Sequence, residues 1–282
     1  MTSSPLITGP RNRPAEHLTL TGTASGAGYQ DFTVRGQRSG MTGIVTVWFP
    51  KEYISDTNRE FPVIEGFHGI KPAPYAFFNA VHMDQAITGL AASGKMRPSL
   101  LVIPHWAPGG LDNECVDSAA GGNVETWLTQ DIPDWVYSTF RVLPGRGAFA
   151  AWGMSAGGWC ANMSAMLHPD TFATAVSLGG YWQPDFDPSF VPFRPGSAEM
   201  DKYDLISLAH KRPPSVALWT LYGKSDVLAA PTSGAMMAAV TKPTSLTSIV
   251  LPRGGHNTAV WLPHVQPSLE WLAGASPDFR AS

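Results

Sequence analysis

Residues 150–160, Ala-Ala-Trp-Gly-Met-Ser-Ala-Gly-Gly-Trp-Cys, constrain the fold more than any other stretch of this 282-residue chain. At their centre Gly153-Met154-Ser155-Ala156-Gly157 matches G-x-S-x-G, a nucleophile elbow in which a serine sits on a sharp strand-to-helix turn. Such a turn lifts the hydroxyl clear of the sheet on strained backbone. A Cβ at either flanking glycine would collide with the neighbouring strand or helix. Five residues of common types also match by accident, as a glycine-rich turn carrying an ordinary serine. The flanks argue against accident: residues 147–152 read as a buried strand running in, and the Ala- and Met-rich residues 158–167 as a helix running out.

The rest of the chain supplies strands and helices around that turn. Residues 18–23, 30–34 and 43–49 are β-rich runs broken by turn signals, and three strands without intervening helices predict an antiparallel opening to a sheet. Residues 61–68 and the almost wholly apolar 99–104 follow as strands, the second as expected when helices cover both faces. Helical periodicity spans 77–92. After a Gly-rich, acidic loop at 106–123, a helix is predicted over 124–140. It has Glu125 in its first turn and Trp127, Leu128, Ile132, Trp135 and Val136 on one stripe. Strands at 172–178, 215–222 and 246–251 then alternate with helices at 231–240 and 260–272. The alternation predicts an α/β fold: a mostly parallel central sheet with antiparallel N-terminal strands and helices on both faces. Neither a composition break nor an internal repeat divides the chain, so residues 17–282 read as one domain. A polar, Pro-containing extension at 1–16, expected to be flexible, precedes it.

Charge and hydropathy narrow the partners. With 19 Lys and Arg against 22 Asp and Glu, net charge -3, no basic stripe exists to neutralise a phosphate backbone, and nucleic acid is not expected. No segment reaches the uninterrupted apolar length of a membrane span, and residues 1–16 hold no apolar run of signal-sequence length. A cytoplasmic protein and a chain trimmed of its export signal both fit. Cys115 and Cys160 allow one disulfide. Their positions after neighbouring strands permit a bond, and two unrelated buried thiols fit equally.

A serine nucleophile needs a base, and the base needs an orienting acid. Tyr222-Gly223-Lys224-Ser225-Asp226 puts Asp226 directly after the strand at 215–222, and Arg253-Gly254-Gly255-His256-Asn257 puts His256 directly after the strand at 246–251. The order Ser, Asp, His, each on a loop after a late strand, is that of α/β-hydrolases. His264 and His105 are rival bases. Asp204 is a rival acid, and Asp226 itself could instead cap the helix that follows. An oxyanion hole would take the N–H of Ala156 and one from the loop after the strand ending at His68, with Ile70 favoured over Gly69. The His68 side chain and Gly69 are candidates to line the substrate site, and a packed or solvated loop histidine fits His68 at least as well.

These residues resemble the esterase-D type of α/β-hydrolase, which includes the secreted mycolyltransferases. The resemblance rests on Phe67-His68-Gly69-Ile70-Lys71, the segment 125–133, the elbow, Tyr222–Asp226, and Gly254-Gly255-His256-Asn257 followed by Trp261. It implies an α/β-hydrolase fold and a serine esterase or acyltransferase working without cofactor on a small-molecule ester or acyl-lipid. It also implies that Cys115, in Glu114-Cys115-Val116-Asp117, pairs with Cys160, and that the protein is secreted or held in the cell envelope. Two features depart from the mycolyltransferase branch, which carries Asp where His68 stands and Glu as its triad acid. Plain hydrolysis is therefore the expectation. Acyl transfer to a sugar or glycerol hydroxyl is the alternative, and a non-catalytic glycan- or lipid-binding homologue the second, which intact Ser155, Asp226 and His256 argue against.

The irregular aromatic run from Tyr181 and Trp182 through Phe186, Phe190 and Phe193 is expected to form a lid or acyl-pocket wall, with Trp106 contributing. Trp159 is expected in the core. Asp112, Asn113, Glu114 and Asp117 match no calcium-loop spacing, so a solvated loop and no metal are expected there.

Overall fold

The computed structural model describes residues 18–70, 74–107 and 110–281; the expected extension at 1–16 lies outside them. Strands β1 (Gly28–Arg35) and β2 (Thr42–Phe49) open the chain, and α1 (Lys51–Ser55) leads to β3 (Val63–Phe67). Helices α2 (Ala76–Asn79) and α3 (Met83–Ala92) precede β4 (Leu100–Pro104). A small hairpin of β5 (Asp117–Ser118) and β6 (Gly122–Asn123) runs into α4 (Val124–Thr126), a π-helical turn at Trp127–Asp131, and α5 (Ile132–Thr139). Then come β7 (Phe149–Met154), α6 (Ala156–Leu167), β8 (Thr174–Leu178), α7 (Ala198–Lys202) and α8 (Leu205–Lys211). The chain closes with β9 (Ala217–Gly223), α9 (Ala230–Ala239), β10 (Ser245–Leu251), α10 (Thr258–Trp261) and α11 (Val265–Ala275).

Eight strands form one sheet in the order β1-β2-β4-β3-β7-β8-β9-β10. β1 and β2 pair antiparallel, β2 meets β4 antiparallel, and every later pairing is parallel. This is the predicted architecture, and its cause is visible in burial. β3, β4, β7 and β8 are buried at every position, as strands covered on both faces must be. On one face Phe67, Phe149, Ala151 and Leu218 pack with Trp159 and Met163 of α6. On the other, Ile64, Leu101, Trp152 and Leu221 pack with Ile87 of α3 and Leu269 of α11. The C-terminal ends of the parallel strands share one edge, and the loops leaving β3, β7, β9 and β10 all emerge there.

The structure departs from the sequence reading in several places. Residues 18–23 contribute only an isolated bridge, Thr21 to Tyr29, rather than a strand. The helix expected over 77–92 breaks at His82, whose left-handed φ of 51° turns the chain between α2 and α3. The apolar period survives because Phe77 and Val81 are buried before the break, and Met83, Ile87 and Leu90 after it. The closing helix is interrupted by a 3-10 turn at Leu262–His264, where Pro263 has no N–H to continue an α-helical ladder. Residues 198–211, to which the sequence pattern assigns no element, form α7 and α8. Ser197 accepts from the Met200 N–H at 3.3 Å and Asp204 from the Ser207 N–H at 3.1 Å as N-caps. The loop expected to be solvated is interior, for Asn113, Glu114, Cys115 and Val116 are all buried.

Candidate active site

Ser155 joins β7 to α6 at φ 58° and ψ -131°, a region that costs a non-glycine residue roughly 1–3 kcal/mol. The turn is tight because nothing larger than hydrogen fits beside it. A Cβ on Gly153 would lie 2.0 Å from the Gly157 carbonyl oxygen, and one on Gly157 would lie 2.0 Å from that of Phe67. The Ser155 N–H donates to the Leu178 carbonyl on β8 at 2.9 Å, tying the elbow to the sheet.

Two further loops meet it. Asp226 follows β9 and His256 follows β10, and the two loops touch at glycines: a Cβ on Gly223 would strike the Gly254 carbonyl oxygen at 2.1 Å. His256 Nε2 lies 2.7 Å from Ser155 Oγ, and Nδ1 lies 3.0 Å from each Asp226 carboxylate oxygen. With Asp226 as acceptor, Nδ1 carries a proton and Nε2 faces the hydroxyl as acceptor. Asp226 is 1% exposed. Burial by itself would raise its carboxyl. Hydrogen bonds from His256 and from the Ala229 and Leu228 N–H groups outweigh burial and hold it below the usual carboxylate range. It thus takes the expected helix-cap bonds and the His256 bond together. The edge of the His256 ring meets Trp261 of α10 at 4.9 Å and 86°, which limits its tilt.

The rivals fall elsewhere. Asp204 caps α8 and accepts from Gln183 Nε2, and His105 bonds the Thr46 hydroxyl at 2.9 Å. His264 sits in the 3-10 turn before α11.

The loop after β3 brings Gly69 against the elbow, its would-be Cβ 3.2 Å from Ser155 Cβ. Ile70 is half-buried beside it. Ala156 opens α6, so its N–H has no carbonyl one helical turn back to bond. His68, Trp106 and Trp182, expected along the substrate surface, are enclosed: His68 is 1% exposed and both indoles 0%. Close packing leaves them no free face in this structure. Trp106 stacks on the His68 ring at 5.3 Å and 15°, and its Nε1–H donates to the His68 carbonyl at 3.1 Å. The Trp182 N–H donates to the Thr232 hydroxyl at 3.2 Å. Phe186, Phe190 and Phe193 cluster edge to face, and Phe193 stacks on Tyr203.

Cys115 and Cys160 are bonded, with Cα atoms 5.7 Å apart. The bond ties the 111–118 loop to the first turns of α6, and Glu114 reinforces it. Its carbonyl accepts from Trp159 Nε1 at 2.8 Å, and its carboxyl accepts from the Tyr181 hydroxyl at 2.5 Å.

A polar cluster centred on the buried Glu125, and reaching the surface at Lys202, leaves no signal in the sequence. Glu125 bonds His168 at 2.6 Å and the Tyr203 hydroxyl at 2.6 Å, and pairs with Lys202. Burial would raise its carboxyl, yet these partners, His168 foremost, bring it down to about 2. In sequence Glu125 looks like an ordinary first-turn acid. Glu65, central in β3, was also missed. Burial pushes its carboxyl well up, and neither oxygen has a partner among the described residues.

Among the described residues no group of His, Cys, Asp and Glu is arranged to hold a metal ion, and no helix is long and apolar enough to cross a membrane.

A family model described as "Putative esterase" matches residues 40–264. An uncharacterised protein of Corynebacterium glutamicum is 25% identical over 138 residues, 49% of this chain and 32% of that protein. The MPT51/MPB51 antigen of Mycobacterium tuberculosis is 37% identical over 60 residues, 21% of this chain and 19% of the antigen. The chain therefore spans a third or less of the curated relatives it matches. Likeness in structure extends further. An S-formylglutathione hydrolase from Agrobacterium tumefaciens superposes with a TM-score of 0.76 at 17% identity, covering 90% of this chain and 98% of that one. MPT51 superposes with a TM-score of 0.62 at 20% identity, covering 89% and 99%. At such identities the likeness speaks for the fold, which is that of the α/β-hydrolases.

Proposed function

The chain belongs to the esterase family, and on that premise we propose that it is a serine carboxylesterase hydrolysing small acyl esters through a covalent Ser155 intermediate. The observation that carries this reading is the unbroken hydrogen-bond line from Ser155 Oγ through His256 to Asp226, on a strained elbow. In the proposed reaction Ser155 Oγ attacks the ester carbonyl carbon while His256 Nε2 takes its proton. Asp226 stays ionised, holds the tautomer and stabilises the imidazolium. The carbonyl oxygen becomes an oxyanion, met by the N–H groups of Ala156 and Ile70. Collapse expels the alcohol, which takes the proton from His256, and leaves acyl-Ser155. Water, deprotonated by His256, then attacks the acyl carbon; the Ser155–acyl bond breaks as His256 returns that proton to Oγ, and the acid leaves. An alcohol in place of that water would give acyl transfer. The buried Cys115–Cys160 bond supports a protein that matures in an oxidising compartment, and we read it as exported.

A fluorophosphonate probe should label the protein, and Ser155→Ala should abolish labelling. The same variant should lower kcat on p-nitrophenyl butyrate by roughly 10⁴–10⁶-fold. Labelling that survives in Ser155→Ala would overturn the reading. A glycerol or sugar acceptor added to the assay separates hydrolysis from transfer by the ratio of acid to new ester.

A further inference from the structure

The enclosed pair of His68 and Trp106 takes part in no step above. Its two hydrogen bonds nevertheless fall on consecutive peptide units of the loop beside Ser155. The Trp106 indole N–H donates to the His68 carbonyl at 3.1 Å, and His68 Nδ1 lies 2.8 Å from the Gly69 carbonyl. A carbonyl only accepts, so Nδ1 carries the proton and donates. Nε2 is buried and has no partner among the described residues. Among the described residues the ring is therefore held by its stack on Trp106 and by Nδ1 alone.

The Gly69 carbonyl and the Ile70 N–H belong to one planar trans peptide, in which they point in opposite directions. Whatever clamps the carbonyl aims the N–H. Gly69 needs such a clamp because a residue without Cβ rotates freely. A Cβ here would sit 3.2 Å from Ser155 Cβ, tight by a few tenths of an ångström, so the smallest residue lies closest to the nucleophile.

We propose that His68 is a positioning residue for the oxyanion hole: through Nδ1–H it locks the Gly69–Ile70 peptide plane so that the Ile70 N–H faces the developing oxyanion. The proposal rests on the esterase reading and on Ile70 as the second donor. Burial holds the His68 ring down to about 4, with the Gly69 bond opposing and the charge of His105 adding, so the ring stays neutral near neutral pH. A neutral ring suits the work, since a second proton on Nε2 would place a charge in a buried position with no acceptor among the described residues.

The test uses two side chains that each copy one ring nitrogen. The amide nitrogen of Asn stands where Nδ1 stands, and that of Gln where Nε2 stands. His68→Asn should therefore keep kcat on p-nitrophenyl butyrate within about 3-fold. His68→Gln should lose about 10²-fold, the loss expected when an oxyanion donor goes missing, with KM within about 2-fold because the oxyanion exists only in the transition state. Affinity for a trifluoromethyl ketone, which forms an oxyanion on Ser155, should fall in step with kcat/KM. Thermal unfolding of both variants keeps folding apart from chemistry. Equal kcat in the two variants, a loss confined to KM, or a loss explained by unfolding would each overturn the proposal. Failure of the wild-type chain to label at Ser155 would instead bring down the esterase reading itself, and the role of Ile70 with it.

Discussion

At Gly157 a single methyl group decides whether the site exists. Its would-be Cβ lies 2.0 Å from the Phe67 carbonyl oxygen and 2.5 Å from that of His68, backbone atoms at the end of β3 and the start of the proposed oxyanion loop. Backbone cannot swing aside as a side chain can, so Gly157→Ala must push α6 away from β3. A displacement near 1 Å is worth about 10²-fold in rate, and overpacking costs roughly 1–3 kcal/mol. Both losses should appear, in kcat/KM on p-nitrophenyl butyrate and in thermal unfolding. Gly89 of α3, where nothing lies within 4 Å, serves as the control. Gly89→Ala should raise stability by about 0.5–1 kcal/mol and leave the rate alone. Full activity in Gly157→Ala would show the contact to be soft. This glycine, Ser155, Asp226 and His256 were legible in sequence because the chemistry prescribes residue types at strand ends, in a fixed order. His68, Trp106 and Trp182 were misplaced because an aromatic beside a site carries no sign of whether it faces ligand or core. Packing decides that.

Elements meet this site through long-range ties that leave little local trace. Glu125 was read as a first-turn acid, since its partners His168 and Lys202 lie 43 and 77 residues away. Joined to Tyr203, on which Phe193 stacks, it anchors the aromatic segment after β8 to the helical run after β6. In sequence Asp112, Asn113, Glu114 and Asp117 read as a solvated loop, because acidic residues without a cation-binding spacing ordinarily face water. The disulfide and the Tyr181 bond draw it inward instead. That tie has a measurable worth. Its ends are 45 residues apart, and in the chain-entropy account a loop of that size contributes about 4 kcal/mol. The double variant Cys115→Ala/Cys160→Ala should therefore unfold on the order of 10 °C lower, at roughly 2–4 °C per kcal/mol. It should still label with fluorophosphonate below that temperature. The loops that carry Ser155, Asp226 and His256 leave β7, β9 and β10, the proposed oxyanion loop leaves β3, and the bond joins none of those loops to another. An unchanged unfolding temperature would mean that packing alone holds the loop to α6.

The molecule as a whole should be most stable on the acid side of neutrality, because its buried carboxyls pull in opposite directions. Glu65 and Glu114 are both pushed well above 4.5, Glu65 by burial and Glu114 by burial and then by the charge of Asp112. Each stays protonated in the fold where the unfolded chain would release the proton. The cost therefore grows by about 1.4 kcal/mol per pH unit above 4.5 for each, until its folded value is reached. His68 opposes them. Held down to about 4 against an ordinary 6.5, it refuses a proton that the unfolded chain accepts, so its penalty grows as pH falls between those values. Glu125, brought down to about 2, and Asp226, also lowered, add stability that is complete above the usual carboxylate range and lost as pH falls below it. Between 4.5 and 6.5 the raised acids, to which burial adds Asp84 and Asp112, outweigh the lowered histidines, to which burial adds His105 and His264. As pH falls below that range the loss of the lowered carboxyls takes over. The maximum falls at roughly pH 5. Thermal unfolding from pH 3 to 8 should trace that peak. Glu65→Met, which fills the same volume without an ionisable group, should raise stability at pH 7 and flatten the alkaline arm. A wild-type profile flat above pH 6, or a variant with an undiminished alkaline slope, would show that Glu65 ionises in the fold and that an unseen partner in the sheet holds its charge.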